Sequence, residues 1–249
     1  MSKLAMIAAM EREVALLVRG WRRTKVMDGP RSLVAFERED QVVVISGIGR
    51  KNAERAARAS VAQYRPSTLI SIGLGGALIR SLKAGSVVTP NVVVDAADGS
   101  EYRCAFAGGS IGGGILVTAD AIASVDAKQK LVERFHALVV DMEAAAVARV
   151  AQEARAGFRC VKAISDEADF VMPPLAKFVE QDGRFNSGKF AVWTAFRPWH
   201  WARAVALGRN SYRATRALCA WLEGNLPGSM PPAEVVTLKR PEFSEIRTK

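Results

Sequence analysis

The chain has 249 residues, of which 49% are hydrophobic and 24% charged, so it is globular with room for a sizeable core rather than disordered. No run approaches the ~20 apolar residues of a membrane span, two histidines exclude a histidine-rich metal site, and the separated Cys104, Cys160 and Cys219 form neither a disulfide framework nor a C-x-x-C pair. A net charge of +10 points to an anionic partner such as nucleic acid, phosphate or an anionic membrane surface.

The first element, "LAMIAAM" at 4–10, reads as a strand; Glu11 follows too soon for a signal peptide. With the free cysteines, that predicts a cytoplasmic protein. Helical patterns follow at 11–19 and 51–64, on either side of the strand "QVVVISGIG" at 41–49. Then come strands at 68–76, 86–94 and 114–120, a helix at 126–135, the strand "ALVVDME" at 137–143, a helix at 143–155, the strand "FRCVKAISD" at 158–166 and a long helix near 200–222. Near-continuous Val/Ile runs are typical of strands covered on both faces. Their alternation with helices predicts a three-layer α/β/α domain over 1–224. The proline-rich, polar stretch 225–249 is predicted to be a disordered tail.

In open α/β sheets, ligands sit beyond the carboxyl ends of the strands. Three such ends carry carboxylates: Glu13 after the first strand, Glu143 after the sixth and Asp166 at the end of the seventh. Two others carry glycine-rich segments, "GIGRKN" and "GLGGAL". Neither is a G-x-G-x-x-G after the first strand with an acidic residue ~20 positions on, so no nicotinamide site and no cofactor is predicted. Taken alone, the glycines read as tight turns; functionally, they permit close backbone approach to a sugar or anion. Taken alone, Glu13 is a first-turn residue favoured by the helix dipole and Asp166 an N-cap. Glu143 is harder to place on a surface, because three alanines and Val147 follow it. A buried carboxylate must be paired, hydrogen-bonded or neutralised, and ligand hydroxyls would satisfy it. Asp141 is the weaker candidate, a helix-start residue. Three carboxylates at strand ends suit acid–base work on a glycosidic bond.

The segments "MIAAMEREVALL" (6–17), "ISGIGRKNAERAA" (45–57), "ISIGLGGALIRSLKAGSVV" (70–88), "VVDMEAAAVARVA" (139–151) and "VKAISDEAD" (161–169) occur in order. Together they resemble the nucleoside phosphorylase superfamily, most of all its 5′-methylthioadenosine/S-adenosylhomocysteine nucleosidases. The resemblance implies a mixed central sheet, a homodimer and a small-molecule nucleoside substrate. It assigns Glu13 to activating the attacking water, Glu143 to holding the ribose hydroxyls with Met142 against the sugar, and Asp166 to protonating the purine at N7 with Ser165 placing it. Ile48, Gly75 and Ile122 complete the predicted substrate-binding set; no metal is implied. Two positions depart from the family pattern: Leu74 stands where a serine is usual, and Ile122 and Ala123 stand where an aromatic would stack on the base. The stretch between Val94 and Ile115 is also shorter than in the small-substrate enzymes, which implies a more open site. A glutamate at position 13 repels phosphate and favours hydrolysis, while Arg12 and Arg50 keep phosphorolysis open.

Between Gly183 and Leu222 there is no acidic residue, but seven basic ones and four of the five tryptophans. Arg209, Arg213 and Arg216 share one helix face, and Val205, Leu218, Trp201 and Trp221 are expected to pack elsewhere on it. One reading is a covering helix with a solvated basic face; the other is peripheral contact with an anionic membrane. No nucleic-acid module is recognisable. "FRPWHWARAVALGRNSYRA" resembles the hopanoid-associated branch of the superfamily, whose substrate, adenosylhopane, is lipid-linked. The sequence therefore predicts a nucleosidase acting on a 5′-modified adenosine. The alternatives are a phosphate-dependent purine nucleoside phosphorylase and a non-catalytic nucleoside- or lipid-binding protein.

Overall fold

A computed structural model describes residues 3–105, 111–180 and 183–225. Asn225 ends the last helix, and the rest of the predicted tail lies outside the described residues.

Among the described residues twelve strands make one mixed sheet. β1 (Leu4–Ala8) is wholly buried and runs parallel to both β4 (Gln41–Ile45) and β5 (Thr68–Ala77). β5 is the hub. One edge pairs with β1, and β12 (Gly157–Asp166) lies parallel to it along its whole length. Its last residues, Gly76 and Ala77, pair antiparallel with β11 (Val139–Asp141). β10 (Ile115–Thr118) and β7 (Val92–Asp95) continue the sheet in parallel, and β8 (Glu101–Arg103) closes that edge. β6 (Val87–Thr89) runs antiparallel to β12 and carries the two-residue β9 (Ile111–Gly112).

The predicted strand at 86–94 is thus two strands. Pro90 has no N–H to donate, which breaks the ladder. A hairpin of β2 (Arg22–Asp28) and β3 (Arg31–Arg38) at the opposite edge was not predicted. Arg22, Arg23, Lys25 and Arg31 obscure its alternation, as happens where one sheet face meets solvent. The predicted helix 11–19 shrinks to α1 (Glu11–Val14), followed by turns that end at Gly20 with φ of 80°.

Helices cover both faces. On one side α2 (Arg50–Tyr64) and α4 (Ala144–Glu153) pack on the sheet and on each other through buried alanines, among them Ala53, Ala56, Ala144, Ala145 and Ala148. Small side chains let these helices approach closely and exclude water. On the other side α6 (Trp201–Asn225) lays Ala214, Leu218, Cys219 and Leu222 against Met6, Val14, Ile70 and Val161. α3 (Val125–Phe135) flanks the β10–β11 end, and α5 (Ser187–Ala195) precedes α6.

α6 contributes to the core only through its second half. Trp201 and Val205 are 53% and 70% exposed, so two of the four residues expected to pack do not, whereas Leu218 and Trp221 do. The three arginines of its basic face are exposed.

Candidate active site

A cleft of about 490 Å³ opens at the carboxyl ends of β1, β5, β11 and β12. All eight predicted site residues line it: Glu13, Ile48, Gly75, Ile122, Met142, Glu143, Ser165 and Asp166. They come from stretches far apart in sequence, brought together where β1 and β12 run parallel to β5 and β11 pairs antiparallel with its last residues.

Glu13 is buried at 3% exposure. It is the third residue of α1, and its Oε2 reaches back 3.4 Å to the Met10 N–H, so the helix start orients the carboxylate toward the cleft. Burial, then the neighbouring Glu143 carboxylate, push its pKa up to about 7. Glu143 is the N-cap residue of α4. Its Oε1 accepts the Gly49 N–H at 2.8 Å and its Oε2 the Met142 N–H at 3.3 Å. The segment "GIGRKN" thus delivers a backbone donor to the Glu143 carboxylate, with Gly49 at φ 96°, where a side chain would be strained. Burial raises the Glu143 pKa as well.

The third-strand glycines are not a turn. Gly73, Gly75 and Gly76 lie inside β5, and their small size makes room for charged groups. A Cβ at Gly73 would stand 2.8 Å from Glu13 Oε2, and one at Gly76 would stand 2.8 Å from Asp166 Oδ2. Both contacts are closer than van der Waals separation allows.

Two buried lysines that sequence reasoning missed complete the electrostatics. Lys162, in the middle of β12 and 1% exposed, places Nζ 2.9 Å from Asp141 Oδ2. Asp141 also accepts the Thr118 hydroxyl at 2.7 Å and the Ala144 N–H at 2.9 Å. It therefore starts α4, as expected, and also anchors a buried cation. Burial alone would pull the Lys162 ammonium down; the carboxylates of Asp141 and Glu143 outweigh it and hold it above the usual lysine range. That cation in turn opposes the rise at Glu13 and Glu143. A lysine inside an otherwise apolar strand, "RCVKAIS", is a legible signal, since a fully buried ammonium demands a partner. Lys128 gave no such signal, because it sits in the mostly polar stretch "DAKQK". Asp166, 3% exposed, accepts from Lys128 Nζ and lies 2.8 Å from Ser165 Oγ.

Beyond these groups the cleft is apolar, walled by Met172, Leu175, Phe185, Phe190, Leu207 and Tyr212. Arg12 lines it with its guanidinium 5.1 Å from the Phe185 ring. Arg50 does not line it; its guanidinium is held by Asp95 and Asp120. Among the described residues no group of three or more His, Cys, Asp or Glu is arranged to hold a metal ion.

This is an α/β protein whose mixed sheet gathers three buried carboxylates around one cleft. The chain belongs to the Phosphorylase superfamily, which it matches over residues 3–111 and 108–187. It is 30% identical over 200 residues to a 5′-methylthioadenosine/S-adenosylhomocysteine nucleosidase of Staphylococcus aureus strain JH9, covering 67% of this chain and 87% of that one. Its fold is similar to that of the Neisseria meningitidis nucleosidase of the same name in complex with methylthio-immucillin-A, with a TM-score of 0.65, 20% identity and coverage of 90% and 100%. It is also similar to that of the futalosine hydrolase of Helicobacter pylori, with a TM-score of 0.64, 16% identity and coverage of 90% and 98%.

Proposed function

We propose that this protein is a nucleosidase that hydrolyses the N-glycosidic bond of a 5′-modified adenosine and releases adenine. The observation that carries this reading is the convergence of Glu13, Glu143 and Asp166, each from a different strand end, on one cleft. The 30% identical S. aureus relative bears the name of such an enzyme. Bond breaking leaves positive charge on the sugar and negative charge on the base. Glu143, at the cleft floor with Met142 beside it, bridges the ribose hydroxyls and stabilises the sugar cation. Asp166 delivers a proton to the purine at N7, with Ser165 orienting its carboxyl group. Glu13, with a pKa of about 7, is poised to take a proton from the attacking water near neutral pH.

Hydrolysis is favoured over phosphorolysis by the pair of buried carboxylates where a phosphate dianion would have to lie, and by Arg50, which is committed to Asp95 and Asp120. The deciding assay mixes the protein with methylthioadenosine, S-adenosylhomocysteine or adenosylhopane in phosphate-free buffer and measures free adenine. Release without phosphate is expected. Release only on adding phosphate makes the protein a phosphorylase, and no adenine from any substrate under either condition leaves a binding protein.

The apolar outer cleft suits an apolar 5′ group, and the surface beside it favours a lipid-linked one. Phe196, Trp199 and Trp201 are 78%, 69% and 53% exposed, next to Arg197 and Arg203 and without any acidic neighbour in sequence. Aromatic and basic residues together are the composition of a membrane-interface contact. Sedimentation with anionic liposomes at low salt is expected to bring the protein down, and binding is expected to weaken as salt rises. A Phe196→Ala/Trp199→Ala double variant that binds as well as the parent would remove this contact. The homodimer implied by the resemblance is read directly from solution mass.

A further inference from the structure

Each oxygen of the Asp166 side chain has one protein partner. Oδ1 lies 2.8 Å from Ser165 Oγ and Oδ2 lies 2.5 Å from Lys128 Nζ. The pair is almost wholly buried at the wall of the cleft, with side-chain exposures of 3% for Lys128 and 4% for Asp166. Lys128 is the one buried residue of α3. A third hydrogen bond, from Nζ to the Glu167 carbonyl at 2.8 Å, fixes the ammonium on the acid. Gly76 makes space for both partners: a Cβ there would meet Asp166 Oδ2 at 2.8 Å and Lys128 Cε at 3.3 Å. The Lys128 ammonium is therefore the proton donor in direct contact with the Asp166 carboxyl group.

We infer that Lys128 is the positioning residue that supplies Asp166 with the proton delivered to the leaving purine. The inference rests on the nucleosidase reading given above. The C1′–N9 bond breaks with its electron pair going to the purine. N7 takes the proton from Asp166 as Asp166 takes one from Lys128 Nζ, leaving a neutral amine and a carboxylate that accepts from N7–H. The water oxygen bonds to C1′ and its proton passes to Glu13. After adenine leaves, Lys128, which lines the open cleft, recovers a proton from solvent, and Glu13 gives one up. Passing the proton along the pair cancels the ammonium charge against the negative charge that develops on the purine.

Arginine separates proton supply from ion pairing, because a guanidinium keeps the charge and the hydrogen bonds but does not give up its proton. Lys128→Arg and Lys128→Gln are each assayed on two substrates: 5′-methylthioadenosine, and the matching p-nitrophenyl riboside, whose leaving group departs as a stable anion. The expected result is a fall in kcat on the nucleoside at least about 100-fold larger than on the p-nitrophenyl riboside, in both variants. Equal losses on the two substrates would show that Lys128 only holds the fold, and overturn the inference. So would a Lys128→Arg variant with wild-type kcat on the nucleoside. Asp166→Asn is run beside them. If it cleaves the nucleoside like wild type, the assignment of Asp166 fails and this inference with it. If Asp166→Asn is inactive while Lys128→Arg is not, only the inference about Lys128 fails.

Discussion

With its pKa pushed from 4.5 up to about 7, Glu13 holds a proton in the folded chain over a range where the unfolded chain has already lost it. The sign of the pH effect follows. Its contribution to stability is complete below about pH 4.5 and is lost as pH rises toward 7, because folding must then bury a charge. The gap corresponds to about 3 kcal/mol at pH 8. Glu13→Gln, which keeps the shape and removes the charge, is expected to melt above wild type at pH 8 and close to it at pH 4.5. The same ionisation turns Glu13 into a base, so kcat/KM is expected to fall on acidification through about pH 7. Lys162→Met has the opposite effect on stability. Stranding Asp141 without its cation is expected to destabilise the protein by about 3–5 kcal/mol in urea unfolding. At this scale the sequence disclosed the carboxylates and not what tunes them. Glu143 was legible because a buried composition surrounds it. Lys128 was not, because only the turn of α3 toward Asp166 sets it apart from Asp126, Gln129 and Lys130 around it.

Among the elements, those with a continuous apolar run or a clear helical pattern were legible. β1, β12, α2 and α4 stand within a few residues of where those signals put them. The β2–β3 hairpin was hidden by its charged outer face, and the third-strand glycines by their likeness to a turn. They proved to be interior strand positions whose small size serves neighbouring side chains. α6 divides by function along its length, which a helical period alone does not reveal. Its second half belongs to the core, so Leu218→Ala, at a wholly buried site, is expected to cost about 2–5 kcal/mol. Tyr212 is 61% exposed yet borders the cleft. Tyr212→Ala is expected to leave the melting temperature nearly unchanged and to raise KM for substrates with long apolar 5′ groups more than for methylthioadenosine, as steady-state assays with a graded alkylthio series would show.

For the molecule as a whole, the fold and the position of the cleft could be reasoned from strand and helix alternation and the strand-end rule, whereas the mixed directions of the sheet came from the family resemblance alone, since they depend on long-range pairing. That pairing centres on β5, which meets β1 on one edge and both β12 and β11 elsewhere along its length. β1 and β5 precede residue 106, and β11 and β12 follow it. Glu13 likewise belongs to the first part, and Glu143 and Asp166 to the second. A chain cut between 105 and 111 would therefore yield two pieces, each with an unsatisfied sheet edge and an incomplete cleft. Expressed apart, each piece is expected to be poorly folded and inert; co-expressed, they should reassemble and release adenine. If they do, the central strand makes the chain usable as a split reporter, with adenine release as the signal that its two pieces have met.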